Sequence, residues 1–154
     1  MGLIDKRLAE LGIMLPAPAK PVANYVPWVQ TGNLVFISGQ GPIGDVKILY
    51  QGRLPDTISL EDGVKAARLC AINVVAQLRE ACGGDLDRVK RVVKLVGFVN
   101  AAAGFADHPK IINGASDLMV EIFGDKGRHA RSAVGSPSLP FNISVEVEAI
   151  VEIA

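Results

Sequence analysis

Near the end of the chain, Ile143, Val145, Val147, Ala149, Val151 and Ile153 alternate with Asn142, Ser144, Glu146, Glu148, Ile150 and Glu152. Successive side chains of a strand point to opposite faces, so this period of two predicts a strand with one buried face and one face rich in carboxylates. A longer period governs the middle of the chain. Ser59 is placed to cap a helix, with Asp62 three positions on in near capping-box spacing. Val64, Ala67, Ala71, Val74, Val75 and Leu78 then recur at helical spacing, and Gly83-Gly84 supplies residues that tolerate a left-handed C-cap. A second helix is expected with Asp107 near its N-cap and Pro109 in its first turn. Ile111, Ile112, Ala115, Leu118, Met119 and Ile122 form its apolar face, and Gly124 closes it.

Strands are expected between and before these helices. Residues 28 to 30 and 34 to 38 are apolar runs separated by Thr31-Gly32-Asn33, a hairpin connection. Residues 46 to 50 alternate around Lys47 and are expected to add a third strand, and residues 89 to 99, rich in β-branched side chains, read as a buried one. Residues 3 to 12 predict a short amphipathic helix bearing Ile4, Leu8 and Leu11, which Pro16, Pro18 and Pro21 prevent from continuing. The organisation read from this order is a helical arm with a Pro-rich connection over residues 1 to 21, followed by one α+β domain over residues 22 to 154. That domain is expected to be a mostly antiparallel sheet with two helices on one face. Its other face needs a cover, which further copies of the chain would supply.

Composition narrows the functional classes. At 154 residues the chain suits a single core that removes roughly two thirds of its surface from water. Its 16 basic and 16 acidic side chains balance, so no strong field draws in nucleic acid or anionic lipid. Hydrophobic residues reach 49% without the run of about 18 that a membrane span requires. The apolar surplus points instead to a subunit interface. The amino terminus interrupts its apolar residues with Asp5, Lys6, Arg7 and Glu10, unlike a signal peptide, and a cytoplasmic location is expected. Cys70 and Cys82 lie about 18 Å apart along one expected helix and read as buried thiols, because a disulfide needs a far shorter span.

Several reaction classes lack their residues. Gly124-Asp125-Lys126-Gly127 does not have phosphate-loop order, and Ser38-Gly39-Gln40-Gly41 is neither a nucleophile elbow nor a dinucleotide fingerprint. His108 and His129 have no companions at metal-ligand spacing and read as surface histidines; no metal site is inferred. What remains is Arg131, with Glu146 fifteen residues later on the polar face of the last strand. A guanidinium grips a carboxylate through two parallel hydrogen bonds and keeps its proton, whereas a carboxylate can take a proton from water. On spacing alone, the plainer reading of a surface Arg and a solvated Glu stands ahead.

The balance shifts with further residues. Tyr25, the run Gly32-Asn33-Leu34-Val35-Phe36-Ile37-Ser38-Gly39-Gln40, Ile112-Asn113, Ala130-Arg131-Ser132, Leu139-Pro140 and Val145-Glu146-Val147-Glu148-Ala149-Ile150 occur in order and at matching separations. Over residues 22 to 154 the chain resembles the YjgF-type reactive-intermediate deaminases, also called the L-PSP endoribonuclease group. The resemblance implies a chorismate-mutase-like fold assembled as a homotrimer with pockets between subunits. It further implies that Arg131 binds the substrate carboxylate and Glu146 positions or activates water. Tyr25, Ser38, Gly39, Asn113 and Ala133 would contact the substrate, with backbone at Ser38-Gly39 facing it. The implied reaction hydrolyses enamines and 2-imino acids to 2-oxo acids and ammonia, with no cofactor. The implied partners are a small carboxylate metabolite and further copies of the chain. Ala133 departs from the Cys that many members carry two residues after the Arg, and Gly135-Ser136-Pro137-Ser138 replaces a more charged stretch. Two alternatives stay open: a non-catalytic trimer that senses a carboxylate metabolite, and an endoribonuclease. The balanced charge and 5% aromatic content weigh against the latter.

Overall fold

The terminal segment with the period of two forms β7 (Val145–Ile153) and occupies the middle of a five-stranded sheet. Its neighbours are β2 (Leu34–Gln40) on one side and β5 (Val89–Asn100) on the other, with β1 (Trp28–Thr31) and β6 (Ala130–Ser136) at the two edges. This computed structural model describes residues 1–154. Val145, Val147, Ala149, Val151 and Ile153 are buried, while Glu146, Glu148, Ile150 and Glu152 point to the other face. The neighbouring pairs are antiparallel except β5 and β6, which run parallel.

Two helices cover the buried face, as their spacing predicts. The first, α2 (Leu60–Ala81), starts where Ser59 Oγ accepts the Asp62 backbone N–H at 3.1 Å. The second, α3 (His108–Phe123), is the crossover that the parallel pair of β5 and β6 requires. Gly114 lets the two helices approach, since a Cβ there would run into the Val64 carbonyl. Cys70 is buried and its thiol donates to the Val145 carbonyl at 3.4 Å; Cys82 is buried as well. No helix is long and apolar enough to cross a membrane.

Two local expectations change, and one strand carries no sequence signal. Residues 46 to 50 do not add a strand to the main sheet. There β4 (Lys47–Ile48) pairs only with β3 (Ile43–Gly44) in a separate small hairpin, because Asp45 and Val46 take positive φ values of 49° and 58° to make its tight turn. Ala130–Ser136 carries no clear period of two and is nevertheless a strand, since an edge strand of small residues has no strictly dry side. Gly32-Asn33 is the hairpin turn between β1 and β2, and Thr31 belongs to the strand.

The amino-terminal helix, α1 (Leu3–Glu10), is fastened to the rest of the chain. The Asp87 carboxylate accepts the backbone N–H groups of Leu3 and Ile4, both at 2.9 Å, and thereby satisfies donors that a first helical turn leaves unpaired. Arg7 Nε donates to the Glu121 carbonyl at 2.8 Å, and Leu8 enters the common core.

Candidate functional site

Regular pairing of β2 with β7 slips by one residue between Ile37 and Gln40. Such a bulge re-aims the residues it contains, and here it brings Ser38 and Gly39 beside Glu146. A cavity of about 240 Å³ opens at this point, lined by Tyr25, Ser38, Gly39, Gln40 and Glu146 together with the connection at Ala19, Lys20, Pro21 and Val22. A Cβ at position 39 would collide with the Glu146 carboxylate, so glycine is what permits the carboxylate to lie across this backbone. Ser38 Oγ donates to the Val26 carbonyl at 2.7 Å, and Gln40 Nε2 to the Ser38 carbonyl at 3.0 Å. From α2, Asn73 Nδ2 donates to the carbonyls of Gly41 and Ile43, and buried Gln77 holds the Ala19 carbonyl at 2.7 Å. The floor and one wall of the cavity are therefore braced by a rigid helix.

Glu146 is half-buried. Loss of hydration raises its carboxyl above the usual carboxylate range, and the Glu148 charge adds to the shift. A carboxylate with raised proton affinity is a better base toward water near neutral pH.

Arg131 occupies a second concavity. In the parallel register it lies opposite Leu95, a core residue, and it turns toward α3, where Nη1 donates to Asn113 Oδ1 at 2.7 Å and to Ser116 Oγ at 3.2 Å. Asp117, Arg128 and His129 line the same concavity. Glu146 pairs with Phe98 on the opposite face of the sheet. Within one chain, then, Tyr25, Ser38, Gly39 and Glu146 are brought together, Asn113 and Arg131 are brought together, and the two groups share no cavity. Ala133 lies opposite Gly97 on the Arg131 side of β6 and packs partly against the core.

His129 is not the surface histidine its local sequence indicates. It is half-buried, with Nδ1 at 2.6 Å from the Gly127 carbonyl and Nε2 at 2.9 Å from Ser116 Oγ. Burial lowers its pKa; the Gly127 bond opposes the shift and the Arg131 charge reinforces it. Ser116, thirteen residues away on α3, gave no sequence signal, because its importance comes from packing between a helix and a strand. Gln40 and Lys20 also join the first cavity without having been singled out.

A mixed sheet with two helices on one face is the architecture of the chorismate-mutase-like α+β proteins. Residues 5–153 match the family described as "YjgF/chorismate_mutase-like, putative endoribonuclease", and the chain belongs to that family. It is 48% identical to protein TCP17 of Trypanosoma cruzi over 153 residues, covering 99% of this chain and 95% of that one. It is 33% identical to a protein of Dermatophagoides farinae named 2-iminobutanoate/2-iminopropanoate deaminase, with 92% and 94% covered. Among solved structures it is similar to protein Atu1372 of Agrobacterium tumefaciens, at 47% identity and a TM-score of 0.92, covering 98% of this chain and 92% of the other.

Proposed function

We propose that the protein hydrolyses reactive 2-imino acids to 2-oxo acids and ammonia, in a trimer where Arg131 of one copy faces the Glu146 cavity of a neighbour. The observation that carries this reading is the Glu146 carboxyl, held across Gly39 in a small cavity with its proton affinity raised. The protonated imine carbon is already electrophilic, so the protein needs to hold the substrate and deprotonate one water. Glu146 takes a proton from that water as its oxygen bonds to the imine carbon, giving a carbinolamine. The same carboxyl returns the proton to nitrogen, then accepts the hydroxyl proton as the C=O bond forms and the C–N bond breaks; ammonia leaves, takes that proton to become ammonium, and the 2-oxo acid remains with Glu146 again ionised. Proton transfer of this kind contributes about 10²- to 10⁴-fold.

Arg131 and Glu146 sit on opposite sheet faces of one chain, which is why the reading requires neighbouring copies. The sheet face away from the helices exposes Val29, Phe36 and Val134, an apolar surface suited to such contact. Support for the reaction also comes from the 33% identity to the mite protein named as a deaminase. The ligand class is a small carboxylate; the balanced formal charge supplies no net field that draws in nucleic acid.

The test is ammonia release from 2-iminobutyrate generated in situ by an amino acid oxidase. Wild type is expected to clear the imine well above the buffer rate, with Arg131→Ala and Glu146→Gln near background. Equal rates for wild type and both variants overturn the reading, and tight binding of 2-oxobutyrate without turnover selects a metabolite-sensing protein instead.

A further inference from the structure

We propose that Ser116 and His129 are positioning residues that lock the Arg131 guanidinium, so that its Nε and Nη2 edge is the surface offered to a ligand carboxylate. The inference rests on Arg131 as the carboxylate holder and is independent of whether the bound molecule is then hydrolysed.

The proton order in this cluster follows from donor and acceptor chemistry. The Gly127 carbonyl can only accept, so His129 Nδ1, 2.6 Å away, carries the ring proton. Nε2 is then bare and accepts the Ser116 hydroxyl proton across 2.9 Å. With its proton committed, Ser116 Oγ presents lone pairs, and one of them accepts Arg131 Nη1–H at 3.2 Å. Asn113 Oδ1 takes the second Nη1 proton at 2.7 Å. The anchor of the relay is closely packed: Gly127 is buried against α3, where a Cβ would run into the backbone of Met119.

Both Nη1 protons are thus spent inside the chain, whereas Nε and Nη2 have no partner in it. The edge formed by Nε and Nη2 matches the two oxygens of a carboxylate. A long side chain free in solution loses rotamer freedom when it binds, and restraining it beforehand removes that loss from the affinity. The relay works with a neutral ring. Arg131 and Arg128 on the strand side and Asp117 on α3 are the charged groups around it, and burial favours the uncharged form.

Calorimetric titration with two probes, 2-oxobutyrate and the uncharged 2-oxobutanamide, tests the inference. Ser116→Ala is expected to weaken 2-oxobutyrate about tenfold, with amide binding unchanged within about twofold. Ser116→Thr, which keeps the hydroxyl, should stay within about threefold of wild type. His129→Asn, able to reach Gly127 but too short for Ser116, should behave as Ser116→Ala. In an Arg131→Gln background, Ser116→Ala should have no further effect. Equal weakening of both probes by Ser116→Ala, additivity with Arg131→Gln, or no 2-oxobutyrate binding by the wild type overturns the inference. Failure of the proposed hydrolysis alone is a different result: Ser116-dependent binding with no ammonia released.

Discussion

The Glu146 carboxylate lies in the space that a side chain on residue 39 would need, on the bulge where β2 slips past β7. This relationship makes position 39 a steric control on the proposed base.

Gly39→Ala is therefore expected to displace the carboxylate while sparing the fold. Gly39 does not use a positive φ, and the obstructing atoms belong to the end of a flexible side chain, so the backbone can accept alanine. Imine hydrolysis should fall about 10²-fold, the effect of misplacing a reacting group by about 1 Å, with the melting temperature close to wild type. Ammonia release measured beside thermal melting checks this; unchanged activity would refute the steric role.

Glu146 also predicts a dependence of stability on pH. Its folded-state pKa is raised, by burial first and Glu148 second, so the folded chain holds the proton more tightly than the unfolded one. Below the unfolded value of about 4.3 both states are protonated and the group is neutral in effect. As pH rises through the folded value, the native state acquires a poorly hydrated charge and loses stability. Glu146→Gln should consequently melt about 2 °C higher at pH 7, an advantage that disappears near pH 4. A gain of equal size at both pH values would show that charge is not the cause.

Asp87 has the opposite sign. Hydrogen bonds from the Ile4 and Leu3 backbone lower its pKa, so its hold on α1 is complete above the ordinary aspartate value of about 3.9 and is lost as pH falls through the lowered folded value. Asp87→Ala should release the helix at neutral pH. Faster amide exchange at Leu3 and Ile4, with the sheet still protected, is the expected observation, and full protection of both amides in the variant would contradict it.

The helices α2 and α3 and the central strand β7 were legible in the sequence because each has one dry side, and a dry side writes its period into the chain. Val64 through Leu78, Ile111 through Ile122 and Val145 through Ile153 carry that record. Arg131 and Glu146 were not legible from spacing alone, which favours a surface Arg and a solvated Glu; the resemblance carried by the residues around them singled them out.

Tertiary structure alone decided where those groups point. Arg131 faces α3 because the parallel register sets it opposite Leu95, and Glu146 faces the other way because it pairs with Phe98. Val46, apolar and β-branched, was drawn into a positive-φ turn. His129 and Ser116 meet only where a strand edge packs on a helix. Local sequence records which side of an element escapes water; register and neighbours depend on how distant surfaces fit, and no short window of residues contains both partners of such a fit.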